Sequence, residues 1–178
     1  KEMFLALIDQ AVNTSSLYTM RDMLNDACSF LDVRAYQYTG YLAAINSFEN
    51  YYKANMELLH NADERKELFK KDWPIYTKTN DSCPTLYHSD SEVQNSMISN
   101  GCVIEGTVEK SVLFADVTVA KGATVVDSVI LPGAEIGEGA VINRCIIAEN
   151  VKVDAGCTVG CADSKEIELI SQDVKGEN

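Results

Sequence analysis

Histidine is scarce in this chain: His60 and His88 are its only 2. Positive charge is scarce too, with 15 Lys and Arg against 27 Asp and Glu and a net charge of -12. A nucleic-acid-binding face needs clustered Lys and Arg, so that class is excluded as a partner. No apolar run approaches the ~18 residues that span a bilayer, and no signal peptide is visible. The expectation is a cytoplasmic protein with no membrane partner. The opening "KEMFLALIDQ" reads as an amphipathic helix, and a start without Met points to a fragment or a processed chain. No C-x-x-C pair occurs, which removes the zinc ribbon and the redox dithiol. The 6 cysteines are an even number. However, Cys102, Cys145 and Cys157 stand where neighbouring repeats carry Ala, Ser or Val, as small core residues do. Free thiols in a reducing compartment are expected.

What the chain does have is a repeat. The segments "LFADVTVAKGATVVDSV", "ILPGAEIGEGAVINRCI" and "IAENVKVDAGCTVGCAD" align from Leu113, Ile130 and Ile147. Their period is 17, in two steps of six and one of five. An aliphatic leads each step: Leu113, Val119, Val125; Ile130, Ile136, Ile142; Ile147, Val153, Val159. A shorter, irregular coil led by Ile98 and Ile104 precedes them. This spacing is neither the 3.6 of a helix nor the 2 of a lone strand. It is the hexapeptide pattern of a triangular parallel β-helix, here of about four coils. Three residues after the leaders stand Gly101, Asp116, Gly122, Gly133, Gly139, Asn150 and Gly156, types that accept the positive φ of tight corners. Two residues before the leaders stand small side chains such as Ala123, Ser128, Ala134, Ala140, Cys145 and Cys157, suited to a prism's narrow angles. A short stack has two open ends, which the first 97 residues, the tail "SKEIELISQDVKGEN" or a partner chain must cover.

Upstream, residues 2–12 and 20–30 read as short helices, with Leu5, Ile8 and Val12 on one face of the first. "VRAYQYTGYLAAI" (33–45) reads as two strands meeting at Gly40. Asn46 offers an N-cap, with Glu49 completing a capping box for the helix "SFENYYKANMELLH". "KDWPIYTKTNDSCPT" reads as an extended linker. The expected organisation is a small α+β segment over 1–72, a linker over 73–92, the β-helix over 93–163 and a tail over 164–178.

Candidate chemistry is thin. Hexapeptide acyltransferases rely on a histidine base, and metal-dependent members on several histidines. His60 and His88 both fall outside the regular coils, so a free-standing acyltransferase is the weakest of the readings kept. Glu135, Glu138, Asp127 and Glu149 read as a solvated outer face. Lys70, Lys71, Lys78, Arg34 and Arg144 read as scattered surface cations that a phosphate-bearing ligand would need brought together. "GEGA" (137–140) reads as corner geometry; no Gly-rich phosphate loop with a following Lys occurs. No catalytic, cofactor-binding or metal-ligating residue is assigned.

Three further segments, "TGYLAAINSFENYYKANMELL" (39–59), "WPIYTKTNDSCPT" (73–85) and "NSMISNGCVIEGTVEKSVLF" (95–114), together with the coils, resemble the ADP-glucose pyrophosphorylase (glucose-1-phosphate adenylyltransferase) family. The likeness runs from about Val33 to Val159 in the right order. It implies an N-terminal α/β domain that binds ATP and glucose 1-phosphate, followed by a left-handed β-helix for assembly and regulation. This chain then resembles the end of the first domain plus the β-helix, without the nucleotide loop. Catalytic members read Y-W-x-D-V-G-T where this chain reads "YLAAINS" (41–47). The Asp of that motif helps hold Mg²⁺; here Ala44 matches it, and alanine offers a hard cation no oxygen. The pattern resembles the regulatory, non-catalytic type of subunit in glycogen synthesis. The implied partners are a catalytic subunit, which would supply the Mg²⁺ and ATP sites, or further copies of this chain. A phosphorylated small-molecule effector stays open. Some members carry an Arg shortly after "SVLF" for such an effector, but Asp116 stands there in this chain. A catalytically competent subunit with another metal ligand is the rival reading.

Overall fold

The computed structural model describes residues 2–14, 20–77 and 81–176. They divide into two compact units, 1–39 and 40–178. The first holds α1 (Glu2–Thr14) and α2 (Met20–Ala27), with Met23 and Ala27 buried. Leu5 and Val12, expected on the packing face of α1, are exposed. Residues 33–45 form no strand. A strand needs a ladder partner for its N–H and C=O groups, and among the described residues nothing pairs with this segment. Residues 40–72, grouped above with the N-terminal segment, belong to the unit that contains the β-helix.

In that unit α3 (Phe48–His60) is capped by Ser47, whose Oγ accepts the Asn50 N–H at 3.2 Å. The cap therefore falls one residue later than expected; Asn46 instead takes the Asn50 amide at 2.6 Å. Asn61 then ends α3 and caps α4 (Ala62–Leu68), a helix unforeseen from the sequence. Its Oδ1 accepts the N–H groups of Asp63 and Glu64, the double use that Asn permits at a helix start.

The rest is the prism. Its strands run β1 (Leu86–Tyr87), β2 (Glu92–Gln94), β3 (Met97–Ile98); β4 (Val103–Ile104), β5 (Thr107–Glu109), β6 (Val112–Leu113); β7 (Thr118–Val119), β8 (Thr124–Val126), β9 (Val129–Ile130); β10 (Glu135–Ile136), β11 (Val141–Asn143), β12 (Cys145–Ile147); and β13 (Lys152–Val153), β14 (Thr158–Val159), β15 (Glu168–Ile170). Every third strand stacks in parallel, giving three five-stranded sheets: β1-β4-β7-β10-β13, β2-β5-β8-β11-β14 and β3-β6-β9-β12-β15. The register shows the repeat directly. Thr118, Glu135 and Lys152 are partners 17 residues apart, while Val103 and Thr118 are only 15 apart across the short coil. The four coils reckoned from Ile98 to Val159 are all present. β1, within the expected linker, β2, across its boundary with the expected β-helix, and β15, within the expected tail, extend the same sheets. The 164–178 segment also sets Val174 beside Val153, covering that end of the stack. At the opposite end Leu86, Tyr87, Val93 and Met97 stay exposed.

The leading aliphatics from Ile104 to Val159 fill the interior, none more than 5% exposed. All seven corner residues named from the sequence adopt positive φ, from 57° at Asn150 to 82° at Gly101. The narrow angle before β6, β9 and β12 is closed by a polar ladder. Ser111 N–H donates to Ser96 Oγ, Ser128 N–H to Ser111 Oγ, and Cys145 N–H to Ser128 Oγ, at 3.1–3.3 Å. Ser111 and Ser128 are fully buried yet satisfied, as buried hydroxyls must be.

The third corner was not foreseen. It falls at Asn95, Lys110, Asp127 and Arg144, each with φ between 46° and 49°, and at Gly160 with φ 77°. A left-handed backbone costs an L-residue such as Lys or Arg about 1–2 kcal/mol. These two cations therefore stand where local preference disfavours them.

Candidate functional site

The outer face of the β3-β6-β9-β12-β15 sheet is apolar. Val112, Val129 and Ile146 point outward from it and are buried beneath Tyr51, Tyr52, Met56 and Leu59 of α3. Each directly precedes a leader, so the doublets Val112-Leu113, Val129-Ile130 and Ile146-Ile147 face opposite sides of one strand. Tyr52 anchors the helix. Its hydroxyl donates to the Asp127 carbonyl at 2.7 Å, and the Arg144 guanidinium stands 5.9 Å from its ring centroid. Arg144 Nε also donates to Ser164 O at 2.8 Å, fastening the 160–167 excursion between β14 and β15. Burial, then the nearby Asp127, pushes the Tyr52 phenol up to about 12, with Arg144 opposing.

Beyond the start of α3 the same apolar face opens into a groove of about 1080 Å³, walled by Ile45, Phe48, Phe114, Leu131 and Leu169. A second cleft, about 500 Å³, lies between the end of α3 and the corner at Lys110. It brings His60, Arg65 and Lys110 together with Asn95 and Ser96 above Leu59 and Met97. A third, about 280 Å³, is lined by Leu42, Ala43, Ala44, Asn50, Lys53 and Glu57.

The Ala44 cleft does not suit a divalent cation. Ala43, Ala44 and Ala54 offer it no oxygen, and its one carboxylate, Glu57, sits 3.6 Å from the Lys53 ammonium. Magnesium takes oxygen ligands in near-octahedral order, which this donor set cannot supply. Beside it the Tyr41 phenol oxygen is buried without a hydrogen-bond partner, and burial followed by Glu57 and Glu64 raises its pKa. Among the described residues no cluster of three His, Cys, Asp or Glu is placed to hold a metal.

The remaining residues singled out from the sequence stay dispersed. His88 follows β1, ahead of the regular coils, with Nε2 3.2 Å from Glu105. Glu135 pairs with Lys152 at 2.9 Å on the surface; Glu138 and Glu149 are exposed. Asp127 is half-buried and gives its carbonyl to Tyr52. Arg34 pairs with Asp32 at 2.7 Å and Lys70 with Glu67 at 2.8 Å; Lys71 is exposed, and Lys78 lies outside the described residues. None of these forms the cationic cleft. His60 was discounted, and Arg65 and Lys110 were passed over. Lys110 had one legible signal, its place in line with Asn95 and Asp127. The described cysteines are unpaired, and burial pushes the Cys145 thiol up to about 11, where it is inert.

Residues 84–174 match the family described as GlmU-like, C-terminal hexapeptide. The chain belongs to that family. It is 42% identical over 104 residues to the glycogen biosynthesis protein GlgD of Bacillus subtilis (strain 168), covering 58% of this chain and 30% of that protein. It is 37% identical over 136 residues to a glucose-1-phosphate adenylyltransferase of Acetivibrio thermocellus, covering 76% of this chain and 32% of the relative. A glucose-1-phosphate adenylyltransferase of Bacillus anthracis is 38% identical over 125 residues, with shares of 70% and 33%. The chain thus spans about a third of the length of the curated relatives it matches. These likenesses bear out the resemblance to the ADP-glucose pyrophosphorylase family.

Proposed function

We propose that the chain is part of a regulatory, non-catalytic subunit of glucose-1-phosphate adenylyltransferase, acting in the ADP-glucose route to glycogen. Ala44 carries this reading. The position matching the metal-holding Asp of catalytic relatives bears a methyl group, in a cleft whose one carboxylate already faces a lysine. Adenylyl transfer from ATP to glucose 1-phosphate, with pyrophosphate leaving, requires a cation to neutralise the developing charge, so the Mg²⁺ and ATP sites fall to a catalytic partner. The 42% identity to GlgD supports the same assignment. In this reading the β-helix is the assembly element, and the exposed edge at Leu86, Tyr87, Val93 and Met97 is one surface available for it. No helix among the described residues is long and apolar enough to cross a membrane; we place the subunit in the cytoplasm with its substrates.

A catalytic subunit remains the rival, favoured by the greater share of this chain that the Acetivibrio adenylyltransferase covers. Co-expression of the full-length parent with the catalytic-type subunit of the same source separates the two. The regulatory reading expects a co-purifying complex whose rate or effector response differs from that of the catalytic subunit alone. Separate elution, with kinetics unchanged on mixing, would overturn it.

A further inference from the structure

We infer that the apolar groove beside α3 is a self-association surface, filled in a two-fold dimer by the Trp73–Tyr76 segment of a second copy. The groove holds about 1080 Å³, walled by Ile45, Phe48, Phe114, Leu131 and Leu169. Among the described residues that line it Glu149 alone carries a charge, and its side chain is exposed. Apolar walls reject a polar chain that cannot keep its hydrogen bonds, and a lone carboxylate attracts a cation. The fitting occupant is therefore an apolar segment with a basic residue beside it.

The chain carries such a segment. In "KKDWPIY" (70–76) the apolar Trp73, Ile75 and Tyr76 follow two lysines and one Asp. Trp73 is 79% exposed and Tyr76 91%, although these side chains dominate interfaces once enclosed. Residues 74–77 join no helix or strand, and Pro74 keeps Trp73 away from helical backbone. An extended, Pro-containing strip is what aromatic-lined grooves receive, and this groove offers Phe48, Tyr51 and Phe114. Lys71, exposed two residues before Trp73, supplies the cation that Glu149 calls for. The segment does not line the groove of its own chain.

The areas agree with what a stable dimer needs. Enclosed Trp and Tyr bury about 150–250 Å² each. With an equal area of groove covered, one seated segment accounts for roughly 600–1,000 Å². In a two-fold pair each copy gives one segment and one groove. The two contacts then bury roughly 1,200–2,000 Å², the standard size of a specific interface. The inference goes beyond the regulatory reading and does not depend on it.

Trp73 is the chain's only Trp, so its emission reports its own burial. Sedimentation equilibrium of the 178-residue chain should show monomer and dimer exchanging in the micromolar range. Trp73 emission should move to the blue as the dimer fills. Trp73→Ala, at an exposed position, and Leu131→Lys, in the groove wall, should each weaken dimerisation at least about tenfold. Mixing the two variants sharpens the test. Only the Leu131→Lys chain then carries Trp, and its emission should shift as its segment enters the intact groove of the Trp73→Ala chain. A chain still monomeric far above micromolar concentration would overturn the inference, as would a mixture whose emission does not move. So would a dimer that Trp73→Ala leaves intact and Leu86→Lys dissolves, which would place the interface at the open end of the stack.

Discussion

Tyr52 is held at both ends, by its hydroxyl on the Asp127 carbonyl and by its ring beneath Arg144. Its phenol ionises near 12 in the fold and near 10 in an unfolded chain. A raised folded pKa means that this contribution to stability is whole below the unfolded value and is lost as pH climbs through the folded one. The urea midpoint should therefore fall between about pH 10 and about pH 12, and fall less in Tyr52→Phe. Equal slopes for the two proteins would remove Tyr52 from the account. The corners give a second residue-scale comparison. Gly139 has φ 67° with open space beside it, so Gly139→Ala should cost only the left-handed penalty of about 1–2 kcal/mol. Gly133→Ala should cost more, because its new Cβ would also meet Asn150 Oδ1. Chemical denaturation of both variants checks the order. Two corners of the prism were legible because Gly, Asn and Asp advertise positive φ. The third was half hidden: Asn95, Asp127 and Gly160 carry the signal, but Lys110 and Arg144 interrupt it.

At the scale of elements, the prism and α3 depend on each other unequally. The prism interior closes on its own aliphatics, whereas α3 buries chiefly what it lays on Val112, Val129 and Ile146. Tyr52→Ala should therefore cost about 3–5 kcal/mol of helix docking. In hydrogen exchange, the α3 amides should lose protection while those of β8 and β11 keep theirs. Simultaneous loss in both would show a single cooperative unit instead. Ser47→Ala, which removes the cap, should cost about 1 kcal/mol and act on the same amides. The coil strands were readable because each needs only one inward aliphatic per step, a constraint local to the sequence. Residues 33–45 carry equally strand-like side chains, but pairing is a tertiary condition that their composition could not reveal. The α3 shelf was within reach, since the doublets before β-helix corners put one aliphatic on each face of a strand. The cationic cleft was not, because His60, Arg65 and Lys110 meet only once α3 is laid against the prism.

For the whole molecule, the regulatory reading rests on a contrast between an intact scaffold and a degraded metal position. The coils keep register through all three sheets, while Ala44 and its neighbours offer a cation almost nothing to bind. If Ala44 were the sole defect, Ala44→Asp in the full-length parent would restore Mg²⁺ affinity. The Lys53–Glu57 pair, which occupies the cleft's one carboxylate, argues that it will not, and isothermal titration with Mg²⁺ reads the answer. The most direct test is ADP-glucose formation from ATP, glucose 1-phosphate and Mg²⁺ by the full-length parent alone, free of any catalytic subunit. The account predicts no turnover above background; sustained turnover by the parent alone would contradict it.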